Sequence, residues 1–392
     1  MQATGTIEYL DQLKEKLRAF IDNELLPFER EHEMDAEQKI LMEQITWVRK
    51  RSKELGFYGI NLPKELGGQS LSLKGLCVLK EELAKSGAVL WGHVLGEIGG
   101  PFRIGQMVNV FTPDQLTKYV MPVINAEAGC CFALSEPGAG SDARAIQTTA
   151  IRDGNSYILH GKKHFISAAP YADWAIVLAK EMVEPTDVSV TSFIVEKQTE
   201  ERPGFELGKI QVPISGEHST AELIFNQCRV PATNIVGQRG KGLMLGLNRI
   251  NENRASWGAT YLGVAQRLLD EAVDHAKERR QFGKPIAEFQ AIQHMLAEMA
   301  TELYAARCML YYVIERMDHG ENVRGQASMV KLYTSEVANR VADKAVQILG
   351  GQGLMKGHPV EKMYRDVRMF RILTGTSEIQ KNIIAKELLS QS

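Results

Sequence analysis

The chain has 392 residues, more than one hydrophobic core usually organises, so two or three domains are expected. Apolar residues make up 44% and charged residues 24%, an ordinary globular composition. A formal charge of −2 gives no general electrostatic grip on nucleic acid or on an anionic membrane, so any polyanionic ligand has to be held by local groups.

Leu10, Leu13, Leu17 and Phe20 recur at three- and four-residue steps, so the chain opens on an amphipathic helix. Neither a charged-then-apolar signal peptide nor a basic transit segment is seen, and a cytoplasmic, bacterial-type location is expected. No apolar run approaches the ~18 residues of a membrane-spanning helix. Similar stripes over 40–51 and 71–84, with a Pro/Gly turn from Leu62 to Gly68, predict an all-α domain over residues 1–125.

From 126 to 240 the pattern changes to short β-rich stretches: Ser156–His160, Trp174–Leu178 and Ser192–Val195. Arg152-Asp-Gly-Asn155 reads as a hairpin turn. No helical pattern alternates with these strands, which predicts an antiparallel β barrel or sandwich. Over 241–392 long helical periods return at Leu262–Arg279, Ala291–Met317 and Gln326–Leu349, separated by turns at Pro285 and Gly350–Gly353, and predict a four-helix bundle. The fold class is α+β. The five cysteines (Cys77, Cys130, Cys131, Cys228 and Cys308) show no metal-ligand spacing and no disulfide framework, so no metal is expected.

The strongest local signal is Phe132-Ala-Leu-Ser-Glu-Pro-Gly-Ala-Gly-Ser-Asp142. A strand runs into a turn rich in Gly, and such a turn presents backbone N–H groups and small hydroxyls with little bulk in the way. That suits a flat, acceptor-rich ring or a phosphate, although a plain surface turn reads the same way. Three further segments follow in order: Gly161-Lys-Lys-His-Phe-Ile-Ser167, Glu278-Arg-Arg-Gln-Phe-Gly-Lys284 with Phe289-Gln290, and Gln347-Ile-Leu-Gly-Gly351 leading to Tyr364-Arg-Asp366. Together they resemble the acyl-CoA dehydrogenase family over essentially the whole chain.

The resemblance implies an FAD cofactor. Phe132, Leu134, Ser135, Gly140 and Ser141 would lie on the flavin side, with the Ser135 hydroxyl near N5. Phe165 would cover a ring face where the family usually has Trp, and Ser167 takes a usual Thr place. Arg279, Phe282 and Gln290 would hold the pyrophosphate and adenine side of a neighbouring subunit's FAD, lined also by Gln347, Gly350, Gly351, Thr376 and Glu378. For the coenzyme A thioester the matching positions are Ser141, Asn251 (often Asp in the family), Arg254 and Gly375. His93 and Glu97 align near the acyl pocket and share a helical face. The resemblance further implies a homotetramer that passes electrons to an electron-transfer flavoprotein.

The family's reaction needs a carboxylate to remove the proton next to the thioester carbonyl. It stands either just before the Gly-Thr of the final turn or just before the helix arginine. Here those places hold Thr374 and Asn253, neither of which is a base at neutral pH. Three readings stay open. Glu252, one residue and so about 100° of helix away, supplies the base. A polar acyl group brings His93 and Glu97 into play. Or the chemistry needs no such base, as in desulfination or oxygenation of an acyl-CoA, or in a protein that binds FAD and acyl-CoA without dehydrogenating. The Thr374 N–H would still polarise the thioester carbonyl.

Overall fold

The computed structural model describes residues 7–184, 187–197 and 203–390. In chain order the helices are α1 (Ile7–Phe20), α2 (Leu26–Glu31), α3 (Met42–Glu54), α4 (Leu73–Ser86), α5 (Trp91–Val94), α6 (Pro113–Gln115), α7 (Met121–Ile124), α8 (Gly242–Glu278), α9 (Gln290–Asp318), α10 (Arg324–Leu349), α11 (Pro359–Phe370) and α12 (Ser377–Leu389). The strands of the main sheet are β1 (Cys130–Ala133), β2 (Thr149–Asp153), β3 (Ser156–Ser167), β4 (Trp174–Glu184), β5 (Asp187–Glu196), β6 (Phe205–Ile210) and β7 (Thr220–Pro231). A two-stranded hairpin, β8 (Arg280–Gln281) with β9 (Lys284–Pro285), follows α8. The chain divides into two compact units: a helical one of Met1–Glu33, Leu71–Trp91 and Asn251–Ser392, and a sheet unit of Met34–Ser70 and Gly92–Ile250.

In the helical unit, α1 buries Leu10, Leu13, Leu17 and Phe20, as their spacing predicts. The largest core draws on α4, α8, α9, α10 and α11 through side chains such as Leu262, Leu268, Leu303, Leu310, Val330, Val337 and Val360. Burying each of these is worth roughly 1.5–3 kcal/mol before chain entropy is subtracted. The three long helices stand where periodicity put them, the first beginning about twenty residues earlier at Gly242.

Helix does not run throughout residues 1–125 as expected. The stretches 55–72 and 87–112 are mostly turns and short 3-10 segments. Pro63 cannot continue a helix, and Gly67 (φ 84°), Gly87 (φ 70°) and Gly99 (φ 68°) take up left-handed backbone.

In the sheet unit the strands form one seven-stranded sheet. The Asp153↔Ser156 pair closes the expected hairpin over Gly154 (φ 59°) and Asn155. Antiparallel pairing holds for β2–β3, β3–β7, β4–β5 and β6–β7. It fails at β4, which lies parallel to β1 along its first half and to β2 further on. The alternation of buried and exposed residues marks a strand but carries no direction, so these crossovers leave no local signal. Among the described residues no helix is long and apolar enough to cross a membrane, and no group of His, Cys, Asp and Glu is arranged to hold a metal.

Candidate active site

The Gly-rich turn after β1 is pinned from below by an ion pair. Lys163 Nζ lies 2.7 Å from Glu136 Oε1 and donates to the Leu134 carbonyl at 3.1 Å. Both side chains are buried. Glu136 also accepts from the Thr148 N–H at 3.0 Å and from the Gln147 N–H. Burial pushes the Lys163 ammonium down to about 8 against the pull of Glu136. Burial would raise the Glu136 carboxyl, but Lys163 and the hydrogen bonds outweigh it and hold the group below its ordinary value. Above this anchor, Ser135 is half-buried and its carbonyl accepts from His164 N–H at 2.8 Å. Gly138, Gly140 and Ser141 are exposed, and a Cβ at either glycine would meet nothing within 4 Å.

Phe165 sits opposite on β3, at a bulge between Lys163 and Ile166. The bulge puts Phe165 at φ 56° and leaves its ring 65% exposed, stacked on His164 at 3.9 Å between centroids. Its N–H is satisfied by Gln211 Oε1 at 2.8 Å. A strained aromatic turned out of a strand costs free energy that ordinary folding does not recover, which points to a ligand face. Leu134 is buried, whereas Phe132 and Ser167 are half-buried. Leu134, Ser135, Gly140, Ser141, Phe165 and Ser167 are therefore all positioned by one turn and one bulge. An open glycine cradle beside a displayed aromatic ring fits a planar cofactor such as FAD.

In the helical unit the final turn is strained in the same way. Thr374 has φ 59°, an outlier for a β-branched residue, and Gly375 follows at φ 94°. That positive φ favours glycine there, and a Cβ would also come within 2.8 Å of the flexible Gln380 Nε2. Lys331 Nζ donates to the Gly375 carbonyl at 2.8 Å, and Gln380 Nε2 reaches the Gly375 and Thr374 carbonyls at 3.0 and 3.3 Å. Thr376 caps α12 by accepting from the Ile379 N–H at 3.3 Å. Lys331 is fully buried and is pushed down to about 8 by burial and then by Arg254. Arg254, 6% exposed, is lowered to about 10 by burial and by Arg324, and its Nε and Nη1 have no partner among the described residues. A buried guanidinium with open donors is costly unless a ligand answers it.

Asn251 and Asn253 are half-buried on the same stretch of α8, whereas the side chain of Glu252 lies outside the described residues. Glu336 is engaged by Arg371 at 2.7 Å and by the Ser377 hydroxyl at 3.0 Å. Glu378 lies exposed in the first turn of α12.

The second cofactor segment is the hairpin. Arg279 follows the end of α8, and its carbonyl accepts from the Ile286 N–H at 2.8 Å, closing the hairpin base. Phe282 (φ 51°) and Gly283 (φ 82°) make its tip, where the Phe282 ring is 93% exposed. Arg279, Gln290, Gln347, Gly350 and Gly351 are all exposed. Among the described residues, three of the eight non-glycine ones with positive φ, Phe165, Phe282 and Thr374, are thus predicted site residues. Strain concentrated at the motif positions supports a shared function for them.

His93 and Glu97 are 1% and 2% exposed and belong to the sheet unit, but they do not share a helical face as expected, because α5 ends at Val94 and Glu97 lies in the turn that follows. Burial and then Arg49 push His93 well below its ordinary value, so its ring is neutral.

Reading the sequence missed Lys163, Glu136 and Lys331. The signal was present. Lys163 falls in register with the inward-facing Tyr157 and Leu159, and Lys331 shares a helical stripe with Ser328, Ser335, Ala338 and Ala342. A lysine on a stripe of apolar and small residues announces a buried partner.

Three family models match in order. They are the N-terminal domain of acyl-CoA dehydrogenase over residues 8–127, its middle domain over 131–228 and its C-terminal domain over 240–389. A 3-(aryl)acrylate reductase of Clostridium sporogenes is 37% identical over 97% of this chain and 99% of its own length. Subunit CarC of the caffeyl-CoA reductase-Etf complex of Acetobacterium woodii is 38% identical, over 86% of this chain and 88% of its own. The butyryl-CoA dehydrogenase of Megasphaera elsdenii superposes with a TM-score of 0.86 at 30% identity, covering 98% of this chain and 99% of the other. Three consecutive domain models, full-length relatives and a shared fold agree with the motif geometry: the chain belongs to the acyl-CoA dehydrogenase family.

Proposed function

We propose that the chain is an FAD-dependent oxidoreductase of acyl-CoA thioesters in which Glu252 replaces the carboxylate missing at Thr374 and Asn253. The Lys163-pinned turn carries this reading, because it leaves Ser135 and the Phe165 ring displayed beside an open glycine cradle. FAD, when bound, supplies the hydride acceptor. Phe132, Leu134, Ser135, Gly140, Phe165 and Ser167 position it, while Arg279, Phe282, Gln290, Gln347, Gly350, Gly351, Thr376 and Glu378 serve its pyrophosphate and adenine side. Ser141, Asn251 and Arg254 hold the coenzyme A thioester. The strained turn presents the Thr374 N–H to the thioester carbonyl, and Lys331 fixes that turn through Gly375. Glu252 then takes the proton from the carbon next to the polarised carbonyl.

The exposed Phe282 tip supports a homotetramer in which each hairpin serves a neighbour's cofactor. An electron-transfer flavoprotein is the proposed redox partner, and the cytoplasm the proposed location. A relative that is itself a subunit of an Etf complex supports that partner. The names of two relatives favour the reverse direction as a second reading: reduction of a 2-enoyl thioester, with Glu252 returning the proton.

The purified protein is expected to be yellow and to carry FAD. Phe165→Ala is expected to raise the FAD dissociation constant about tenfold, the loss of one stacked ring face. Fluorescence titration of the apoprotein measures it. Unchanged affinity counts against the assignment of Phe165, and a colourless protein that takes up no FAD counts against the whole reading.

A further inference from the structure

Two β-bulges of the sheet unit meet at one carboxylate that the proposed chemistry leaves unused. On β3, Lys163 and Ile166 are both buried and pair with Leu223 and Ala221 of β7, so His164 and Phe165 together face the single residue Glu222. On β6, Leu207 and Ile210 pair with the same Leu223 and Ala221, so Gly208 and Lys209 face Glu222 from the other side. A bulge disrupts the ladder and re-aims side chains, and it recurs beside functional sites for that reason. Neighbours on a regular strand point to opposite faces of the sheet. Here the His164 and Phe165 rings turn to the same side and stack, with centroids 3.9 Å apart and planes 19° from parallel.

Glu222 is fixed on three sides. Lys162 Nζ lies 2.7 Å from its Oε1, and His164 Nε2 lies 3.7 Å from the same oxygen. A Cβ at Gly208 would lie 2.9 Å from Glu222 Cβ and 3.2 Å from Oε2, so the glycine leaves the space that the glutamate fills. Lys162, and after it the Lys209 N–H, hold the Glu222 carboxyl below its ordinary value against the opposing effect of burial, so it is charged at neutral pH.

His164 in turn joins the two halves of the proposed flavin seat. Its N–H donates to the Ser135 carbonyl on the glycine turn at 2.8 Å, and its ring covers one face of Phe165, whose own N–H is held by Gln211 Oε1. An exposed phenylalanine with nothing behind it would turn about its side-chain bonds and lose that freedom on meeting a ligand. A ring already backed loses less. We infer that His164 is a positioning residue for the flavin: held by Glu222, it fixes the Phe165 ring so that the remaining face is presented to the cofactor. A ring stacked on one face and still 65% exposed has its other face to offer. The inference rests on the FAD reading and on the place of Phe165 within it.

Titration of the apoprotein with FAD tests it. His164→Ala is expected to raise the FAD dissociation constant about fivefold and to change the visible circular dichroism of the bound flavin. His164→Phe, which restores a stacking ring, is expected to stay within about twofold of the wild type and to keep its dichroism. Glu222→Gln is expected to weaken FAD binding about threefold in the wild type and not at all in the His164→Phe background, where no imidazole remains to be held. Wild-type affinity in His164→Ala, equal losses in His164→Ala and His164→Phe, or a Glu222→Gln effect of the same size in both backgrounds overturns the inference. Should His164→Ala fail to fold, His164→Leu, which keeps bulk without a ring, takes its place with the same expected loss. Phe165→Ala separates this role from the reading it rests on. If Phe165→Ala weakens FAD binding and His164→Ala does not, the flavin seat stands and the positioning role falls, whereas a protein that takes up no FAD removes both.

Discussion

Replacing Lys163 by Met is expected to lower the unfolding free energy of the sheet unit by about 3–5 kcal/mol. The magnitude follows from what the substitution leaves behind. Glu136 would remain buried, keeping the N–H groups of Gln147 and Thr148 as donors but losing the Lys163 cation. The Leu134 carbonyl would lose its 3.1 Å donor as well. An unpaired buried carboxylate is far more expensive than an absent ion pair, because desolvation is no longer offset by Coulomb attraction. The double variant Lys163→Met with Glu136→Leu is therefore expected to recover most of the loss. Denaturant unfolding read on both variants measures this, and FAD release should accompany the single one. A Lys163→Met protein within about 1 kcal/mol of the wild type would show that the pair does not hold the turn.

Glu252→Gln is expected to lower turnover by a factor of roughly 10²–10⁴, the usual contribution of a positioned base, while thioester affinity changes little. Glu336 is engaged by Arg371 and Ser377, and Glu378 lies exposed in the first turn of α12. Glu252 shares a helical segment with Arg254, whose open donors mark the ligand side. Moving a side chain one residue along a helix turns it by about 100°, so the substrate's α-carbon must be approached from a different side. Placing a carboxylate back on the strained turn, by Thr374→Glu in the Glu252→Gln background, should restore part of the rate. Steady-state kinetics with a reporting electron acceptor reads both effects. Turnover of Glu252→Gln equal to the wild type removes Glu252 from the mechanism.

Much of this was legible in the sequence. The helical stripe of Leu10, Leu13, Leu17 and Phe20 and the three long C-terminal helices follow from periodicity alone, because burial of one face is what fixes a helix. The turn after Phe132 and the hairpin tip at Phe282 could be found because motifs quote them in order. What stayed hidden was long-range. The parallel pairing of β4 with β1 and β2 depends on how the chain crosses over. Lys163 with Glu136, and Lys331 with Gly375, join residues 27 and 44 positions apart. No local rule links such partners, although Lys163 stood out on an otherwise apolar stripe.

The most direct measurement is anaerobic mixing of the FAD-loaded protein with saturated acyl-CoA esters of several chain lengths. Loss of the flavin's visible absorbance together with formation of a 2-enoyl-CoA is the predicted result for the wild type, and Glu252→Gln should bind the same ester with its flavin still oxidised. Tight binding of every ester by the wild type with no loss of flavin absorbance and no enoyl product would contradict the account.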